Sequence, residues 1–328
     1  MTIDGVRWQE IFNGIDDSLG CGLGPPQSTW REASALTPHL HLLANQGVLL
    51  GSAAAPMWAS SPATISLPGY SEIFSGRSPN CSTNECAPVT EPTLLDAWLE
   101  REPGARLGVI SSWSRIPRMV ARDLSAVTVS AGQNYYVHQE RFCDDREVCR
   151  RLRAGSDISP WPGTDDYRPD WATAALALGY LRSQNPQFLF IGLGDTDEHA
   201  HHGDYARYLE ALHQADATLG TAYQWLQEQE LRGHRTLLVV TTDHGRARGF
   251  RHHSHSHEAA RVWALFAGSV VTERGLAIAE PSRLADIAPT ISSIIGLPRD
   301  TDTRAGHSLS DLLSGRHTAL ASLVEAKP

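Results

Sequence analysis

The run Leu237–Val240 is short, apolar and unbroken, and it ends directly in Thr241-Thr242-Asp243-His244-Gly245. An apolar run of that length without polar alternation suits a strand buried on both faces, as strands of parallel sheets are. The spans Leu107–Ser111, Phe188–Leu193, Thr236–Val240 and Val262–Ala267 share this character. Helical spacing fills the intervals. Tyr205, Tyr208, Leu209, Leu212, Leu219, Ala222 and Leu226 fall on one helix face, with Gly233 as a stop shortly after. Leu94, Leu95, Trp98 and Leu99 outline a second helix, and Trp171 to Leu181 a third. The alternation predicts an α/β fold, a mostly parallel central sheet flanked by helices on both faces. Such sheets bind ligands where loops leave the carboxyl ends of their strands. Asp243 and His244 fall at that edge.

A chain of 328 residues, 41% of them hydrophobic and 20% charged, has the means to bury a full core. One domain over 1–328 is expected, with the irregular, charge-rich stretch at about 114–170 as a cap or insertion over the sheet edge. The formal net charge of −9 argues against a nucleic-acid-binding surface, and no apolar run reaches membrane-spanning length. Met1-Thr2-Ile3 leaves little room for a central strand ending at Ile3, so a truncated start is one expectation. A truncated start favours a periplasmic or exported location, and an intact one the cytoplasm. Cys81 and Cys86 are close in sequence, as are Cys143 and Cys149, with Cys21 left over. No zinc-finger spacing is present. Two short-loop disulfides and free buried thiols both fit the pattern.

Several segments supply groups that suit hard metal ions. In Asp4-Gly5-Val6-Arg7 an Asp stands at a strand end, followed by a Gly that lets the chain turn sharply. Ser66 opens Ser66-Leu67-Pro68-Gly69-Tyr70. A serine in that setting is commonly a helix N-cap; beside a metal ion its hydroxyl can instead lose its proton and attack phosphorus or sulfur. The segment Asp195-Thr196-Asp197-Glu198-His199-Ala200-His201 holds two overlapping Asp-x-x-x-His frames, Asp195/His199 and Asp197/His201. A spacing of four puts both side chains of a frame on one helix face. His252-His253-Ser254-His255-Ser256-His257 is a further histidine source, of which only some members can serve one site. Two clusters are expected. One gathers Asp4, Asp243, His244 and the serine oxygen, and the other an Asp-x-x-x-His frame with a histidine from 252–257. Two divalent ions a few ångströms apart would clamp a tetrahedral anion.

These segments, in this order, resemble the alkaline phosphatase superfamily, which includes alkaline phosphatases, phosphodiesterases, sulfatases and cofactor-independent phosphoglycerate mutases. Asp4-Gly5-x-Arg7 resembles the family's opening Asp. Thr37-Pro38-His39-Leu40 through Gly47-Val48 resembles an early helix, and Thr64-Ile65-Ser66-Leu67-Pro68 through Ser75-Gly76 the nucleophile segment of the phosphodiesterases, with Ser66 where those enzymes carry Thr. The Asp-x-x-x-His frame and Thr241–Gly245 resemble the two later metal motifs. Leu284-Ala285-Asp286-Ile287-Ala288-Pro289-Thr290 through Gly296, then Gly306-His307-Ser308-Leu309, resemble the closing segments.

The resemblance implies an alkaline phosphatase-like sandwich and a two-metal hydrolase of phosphate mono- or diesters. In that reading Ser66 forms a phosphoserine, Asp4, Asp243 and His244 hold the metal that activates it, and Asp197, His201 and His253 hold the other. Asp197/His201 is preferred because Gly203 and a helix start near Asp204 follow it as in relatives with an Asp-Glu-x-Ala-His motif. His253 is preferred because Phe250-Arg251-His252-His253 resembles an F-R-x-H-G motif, with Ser254 in place of its Gly. Zinc is the expected ion and manganese the other candidate, with a small-molecule phosphate ester as substrate. An arylsulfatase-like hydrolase and an inactive metal- or anion-binding relative are the alternatives. Sulfatases carry an Arg where this chain has Tyr70, and the mutases need a large inserted domain.

Overall fold

The computed structural model describes residues 1–20, 23–24, 26–142, 150, 158–272, 275–276, 281–298 and 302–314. Its strands are β1 (Thr2–Ile3), β2 (Val48–Leu50), β3 (Met57–Trp58), β4 (Leu107–Ser111), β5 (Val127–Ala131), β6 (Tyr135–Val137), β7 (Phe188–Leu193), β8 (Leu238–Thr241), β9 (Arg261–Val262), β10 (Ala264–Ala267), β11 (Gly275–Leu276) and β12 (Ser282–Arg283). Its helices are α1 (Trp8–Asn13), α2 (Ala33–Leu36), α3 (Pro38–Ala44), α4 (Ser66–Ser75), α5 (Leu94–Arg101), α6 (Asp170–Gln184), α7 (Asp195–His201), α8 (Tyr205–Leu231), α9 (Ile287–Ile295) and α10 (Ser310–Leu313).

Nine strands form the main sheet in the order β11-β2-β10-β8-β1-β7-β4-β5-β6, and β12-β3-β9 form a small second sheet. Five of the eight pairings in the main sheet are parallel; β10 runs antiparallel to β2 and β8, and β6 antiparallel to β5. The expected fold class is therefore present. Strand alternation divides the core into two layers. Val48, Leu50, Ala264 and Phe266 face one layer, closed by Leu67 and Phe74 of α4, Leu95 and Trp98 of α5 and Ile287 of α9. Leu49, Leu265 and Ala267 face the other, closed by Leu40 of α3, Leu176 of α6 and Tyr208 and Leu212 of α8. The period-two alternation of strands and the helical period of their covers fit together only with helices on both faces.

Leu107–Ser111 and Phe188–Leu193 are strands over the spans read from the sequence. The strand expected over Thr236–Val240 lies slightly later, at Leu238–Thr241. Val262–Ala267 is not one strand. It breaks at the fully buried Trp263, where the chain passes from the small sheet to the large one and the indole N–H donates to Val6 O at 3.3 Å. Within 114–170, β5 and β6 extend the main sheet at its edge. Cys81 and Cys86 are joined in a disulfide; Cys21, Cys143 and Cys149 lie outside the described residues.

Candidate metal centre

The sheet order brings the candidate ligands together. β1 lies between β7 and β8, parallel to both. Asp4 follows β1, α7 starts just after β7, and Asp243 and His244 follow β8. Three neighbouring strands thus deliver their carboxyl-end loops to one place. Close approach is possible there because two positions lack a side chain. A Cβ at Gly5, where φ is +64°, would lie 2.3 Å from Asp197 Oδ1, and one at Gly69 2.4 Å from Asp243 O.

One group of ligand atoms comprises Asp4, Asp243 and His244, and a second comprises Asp197, His201 and His253; within each, the atoms lie within 4.8 Å of one another. In the first, His244 Nε2 stands 3.5 Å from Asp4 Oδ1 and 3.5 Å from Asp243 Oδ2. Ser66 Oγ is 3.2 Å from His244 Nε2 and 3.5 Å from Asp4 Oδ1. In the second, His201 Nε2 is 3.0 Å from Asp197 Oδ2 and 3.3 Å from His253 Nε2. The two groups touch. The His244 and His253 rings stack with centroids 4.0 Å apart, and His244 Nε2 is 3.9 Å from Asp197 Oδ1.

Second bonds fix the rings. His244 Nδ1 is 2.8 Å from Gly245 O and His253 Nδ1 is 2.6 Å from Thr64 O. A carbonyl only accepts, so each Nδ1 carries the proton and each Nε2 offers a lone pair to the site. Thr64 is a β-branched residue at φ +46°, a strained position. Its Oγ1 donates to His253 O at 2.6 Å, so the strained turn leading into the Ser66 helix is locked to the histidine loop.

The electrostatics call for positive charge. Burial, then Asp243 and Asp197, push the Asp4 carboxyl well above its ordinary value. Burial and Asp197 raise Asp243 to about 7. Burial lowers His244 to about 4 and, with His244 beside it, His253 to about 3, so both imidazoles are neutral. Burial would raise Asp197 too, but Arg246 and His201 hold it well below the usual range. Asp243 Oδ2 is buried without a hydrogen-bond partner. A buried carboxylate oxygen without a donor is costly. The orphaned oxygen, the crowded carboxylates and the facing Nε2 atoms fit divalent cations, and carboxylate with neutral imidazole is a donor set for zinc or manganese.

The two Asp-x-x-x-His frames separate in space. Asp197 and His201 meet His253, whereas Asp195 Oδ1 accepts from Tyr167 Oη at 2.7 Å and from Asp170 N at 3.2 Å. His199 lies 6.2 Å from Trp161, centroid to centroid. His252, His255 and His257 are exposed.

Three residues at the site are absent from the sequence-based expectations. The fully buried Arg246 bonds Asp197 Oδ1 and Phe250 O, and donates to Arg251 O at 2.8 Å. Tyr70 Oη donates to Asp4 Oδ2 at 2.9 Å; its spacing of four from Ser66 on a helix was the available signal. Asn84 Oδ1, inside the Cys81–Cys86 loop, accepts Leu67 N at 2.9 Å and so caps the helix that starts at Ser66.

Residues 166–299 match the family model described as Metalloenzyme superfamily. The 2,3-bisphosphoglycerate-independent phosphoglycerate mutase of Thermomicrobium roseum is 31% identical over 160 residues, covering 46% of this chain and 29% of that protein. The chain thus spans under a third of the length of that curated relative. Among solved structures, the phosphonate monoester hydrolase of Agrobacterium radiobacter superposes with a TM-score of 0.60 at 13% identity, covering 96% of this chain and 76% of that one. A protein in the alkaline phosphatase superfamily from Vibrio parahaemolyticus gives 0.53 at 16% identity, covering 90% and 66%. The resemblance read from the sequence is borne out, and the fold is that of the alkaline phosphatase superfamily.

Proposed function

We propose that this chain, built on the alkaline phosphatase superfamily fold, is a metal-dependent hydrolase of phosphate mono- or diesters that works through a phosphoserine on Ser66. The observation that carries the reading is the convergence of Ser66 Oγ, at the first residue of α4, with His244 Nε2 at 3.2 Å and Asp4 Oδ1 at 3.5 Å. Asp4, Asp243, His244 and the Ser66 oxygen would hold one divalent ion, and Asp197, His201 and His253 the other, with zinc the ion of choice. When bound, the ions supply Lewis-acid stabilisation of the phosphoryl oxygens and lower the pKa of the attacking hydroxyl.

The protein's own residues do the rest. Ser66 Oγ bonds to phosphorus as the bond from phosphorus to the ester oxygen breaks, and the proton that Ser66 gives up leaves on that oxygen as the alcohol. Water then attacks that phosphorus and the bond to Ser66 Oγ breaks; one water proton returns to Oγ, and phosphate is released from a monoester or a phosphate monoester from a diester. The N-terminal end of α4 places its positive dipole end beside the transferred group. Asn84 fixes the adjacent Leu67 N–H, and Tyr70 Oη orients Asp4. His201, whose side chain is 42% exposed beside a 10% exposed Asp197, marks the open side where substrate enters. The fold relative named as a phosphonate monoester hydrolase and the sequence relative named as a phosphoglycerate mutase support phosphorus chemistry. A sulfatase is less well supported, because Tyr70 directs its hydroxyl to Asp4. We also read 1–328 as one domain in which 114–170 supplies substrate specificity.

The test is hydrolysis of p-nitrophenyl phosphate, its bis-ester and its sulfate by zinc-loaded protein, beside Ser66→Ala. Phosphate ester turnover lost with chelator and lowered at least about a thousandfold in the variant is expected. Turnover of the sulfate alone would turn the reading to a sulfatase. Tight metal binding with no turnover of any ester would turn it to a binding protein.

A further inference from the structure

The turn that enters α4 and the loop that carries His253 are tied by three hydrogen bonds. His253 Nδ1 donates to Thr64 O at 2.6 Å, and the Thr64 hydroxyl donates to His253 O at 2.6 Å, so the same two residues hold each other in both directions. Beside them His255 N donates to Ala63 O at 2.9 Å. The Thr64 hydroxyl also lies 2.8 Å from Ala63 O, and His253 O also accepts Ser256 N at 3.1 Å. Thr64 and His253 are both buried, so water does not stand ready to replace these bonds.

The backbone is strained on both sides of this clamp. Thr64 sits at φ +46° and His255 at +56°, in the left-handed region that a side chain makes costly. Glycine would occupy position 64 without that cost, so what threonine adds there is its hydroxyl. The other end of the turn is fixed to α4 itself, where Glu72 accepts Ser60 N at 2.8 Å. Only Ile65, extended at φ −124° and ψ 149°, separates Thr64 from Ser66 at the first residue of α4. A shift of the His253 ring therefore moves the Thr64 peptide plane, and one further rigid plane carries Ser66. His253 belongs with Asp197 and His201, whereas Ser66 stands against Asp4 and His244 of the other group.

We propose that Thr64 is a positioning residue that couples the two groups: cation binding by Asp197, His201 and His253 fixes the His253 ring, and the Thr64 clamp passes that order to the start of α4 and so to Ser66. The inference deepens the function proposed above and rests on its reading of Ser66 as the nucleophile. Coupling is reciprocal, so a clamp that orders Ser66 on cation binding also tightens cation binding. Without the Thr64 hydroxyl, part of the binding energy goes into ordering the histidine loop.

The test is made in an Asp4→Asn background, which leaves Asp197, His201 and His253 as the intact group and needs no turnover. Zinc affinity is measured by chelator competition. Amide exchange is read with and without zinc at Gly69, whose N–H makes the first hydrogen bond of α4, to Ile65 O at 3.1 Å. With Thr64 in place, zinc should slow exchange at Gly69 by at least about fivefold. Thr64→Ser, which keeps the hydroxyl, should behave alike. Thr64→Ala and Thr64→Gly should bind zinc at least about tenfold more weakly and show no slowing by zinc. Gly relieves the φ strain that Ala keeps, so Thr64→Gly carries the test if Thr64→Ala fails to fold. Zinc affinity unchanged in Thr64→Gly, or equal slowing at Gly69 in every variant, would overturn the proposal. So would no slowing with Thr64 in place, or affinities that merely follow the stabilities of the variants in urea. A parent protein that turns over no phosphate ester would overturn the function proposed above and leave these readouts untouched.

Discussion

Replacing Arg246 with Met isolates the positive charge that the protein itself brings to the metal centre. The guanidinium is fully buried and bonds Asp197, Phe250 O and Arg251 O. Met keeps most of the length and leaves the carboxylate and two carbonyls without that donor. Removing one partner of a buried pair costs about 3–5 kcal/mol, a large part of the 5–15 kcal/mol that usually holds a domain folded. In chelator, Arg246→Met should therefore unfold at distinctly lower urea. Metal should reverse much of this loss. A unit charge 4 Å from another interacts by about 4 kcal/mol at an effective dielectric of 20, and one acting across an intervening carboxylate by a fraction of that. Relief of even about 1.4 kcal/mol of repulsion is tenfold in affinity. The variant should bind zinc at least about tenfold more tightly than the parent, and metal should raise its stability by more. Urea unfolding in EDTA and in zinc, with affinity from chelator competition, measures both. A variant as stable as the parent in EDTA, or one that binds zinc no more tightly, would refute the reasoning.

Asp195→Asn and Asp197→Asn separate the two overlapping frames. Asp197→Asn should lose metal affinity by about tenfold or more, whereas Asp195→Asn should retain it, as read by chelator competition. Burial and the Asp170 carboxylate raise Asp195 to about 8 in the folded protein, against roughly 3.9 unfolded. Folding therefore takes up a proton between these values, and the stability this group adds is complete below the lower value and lost as pH rises through the upper one. Asp195→Asn should gain on the parent from pH 5 to pH 8.5, on the order of 2 kcal/mol because the neighbouring Asp170 carboxyl titrates in the same range and takes part of the effect; equal pH slopes in urea unfolding would count against this. Cys81→Ser/Cys86→Ser opens a short loop and should cost about 2 kcal/mol in urea unfolding, a loss that a reductant reproduces in the parent only.

Much of this was legible locally. The unbroken apolar runs marked strands buried on both faces, and the four-residue spacings marked helices, because side-chain period reports which faces of an element meet the core. Departures came where distant contacts overrule period. Val262–Ala267 reads as one strand, yet it splits because Trp263 is claimed by the core between the two sheets. The types of ligand were legible too, since Asp and His at strand ends are chemically conspicuous.

Sequence by itself thus determined the fold class and the groups available for a metal centre. Which of those groups meet was decided in three dimensions. Both Asp-x-x-x-His frames are equally helical, and only the contacts of Tyr167 and Asp170 with Asp195 set that frame apart from Asp197/His201. His253 differs from its neighbours through a bond to Thr64, nearly two hundred residues away in the chain. Arg246 looks like an ordinary surface charge until its acceptors close around it. Periodicity is a property of neighbouring residues along one element. Convergence depends on strand order and loop path, with β1 between β7 and β8, and these are fixed only when both faces of the sheet pack at once.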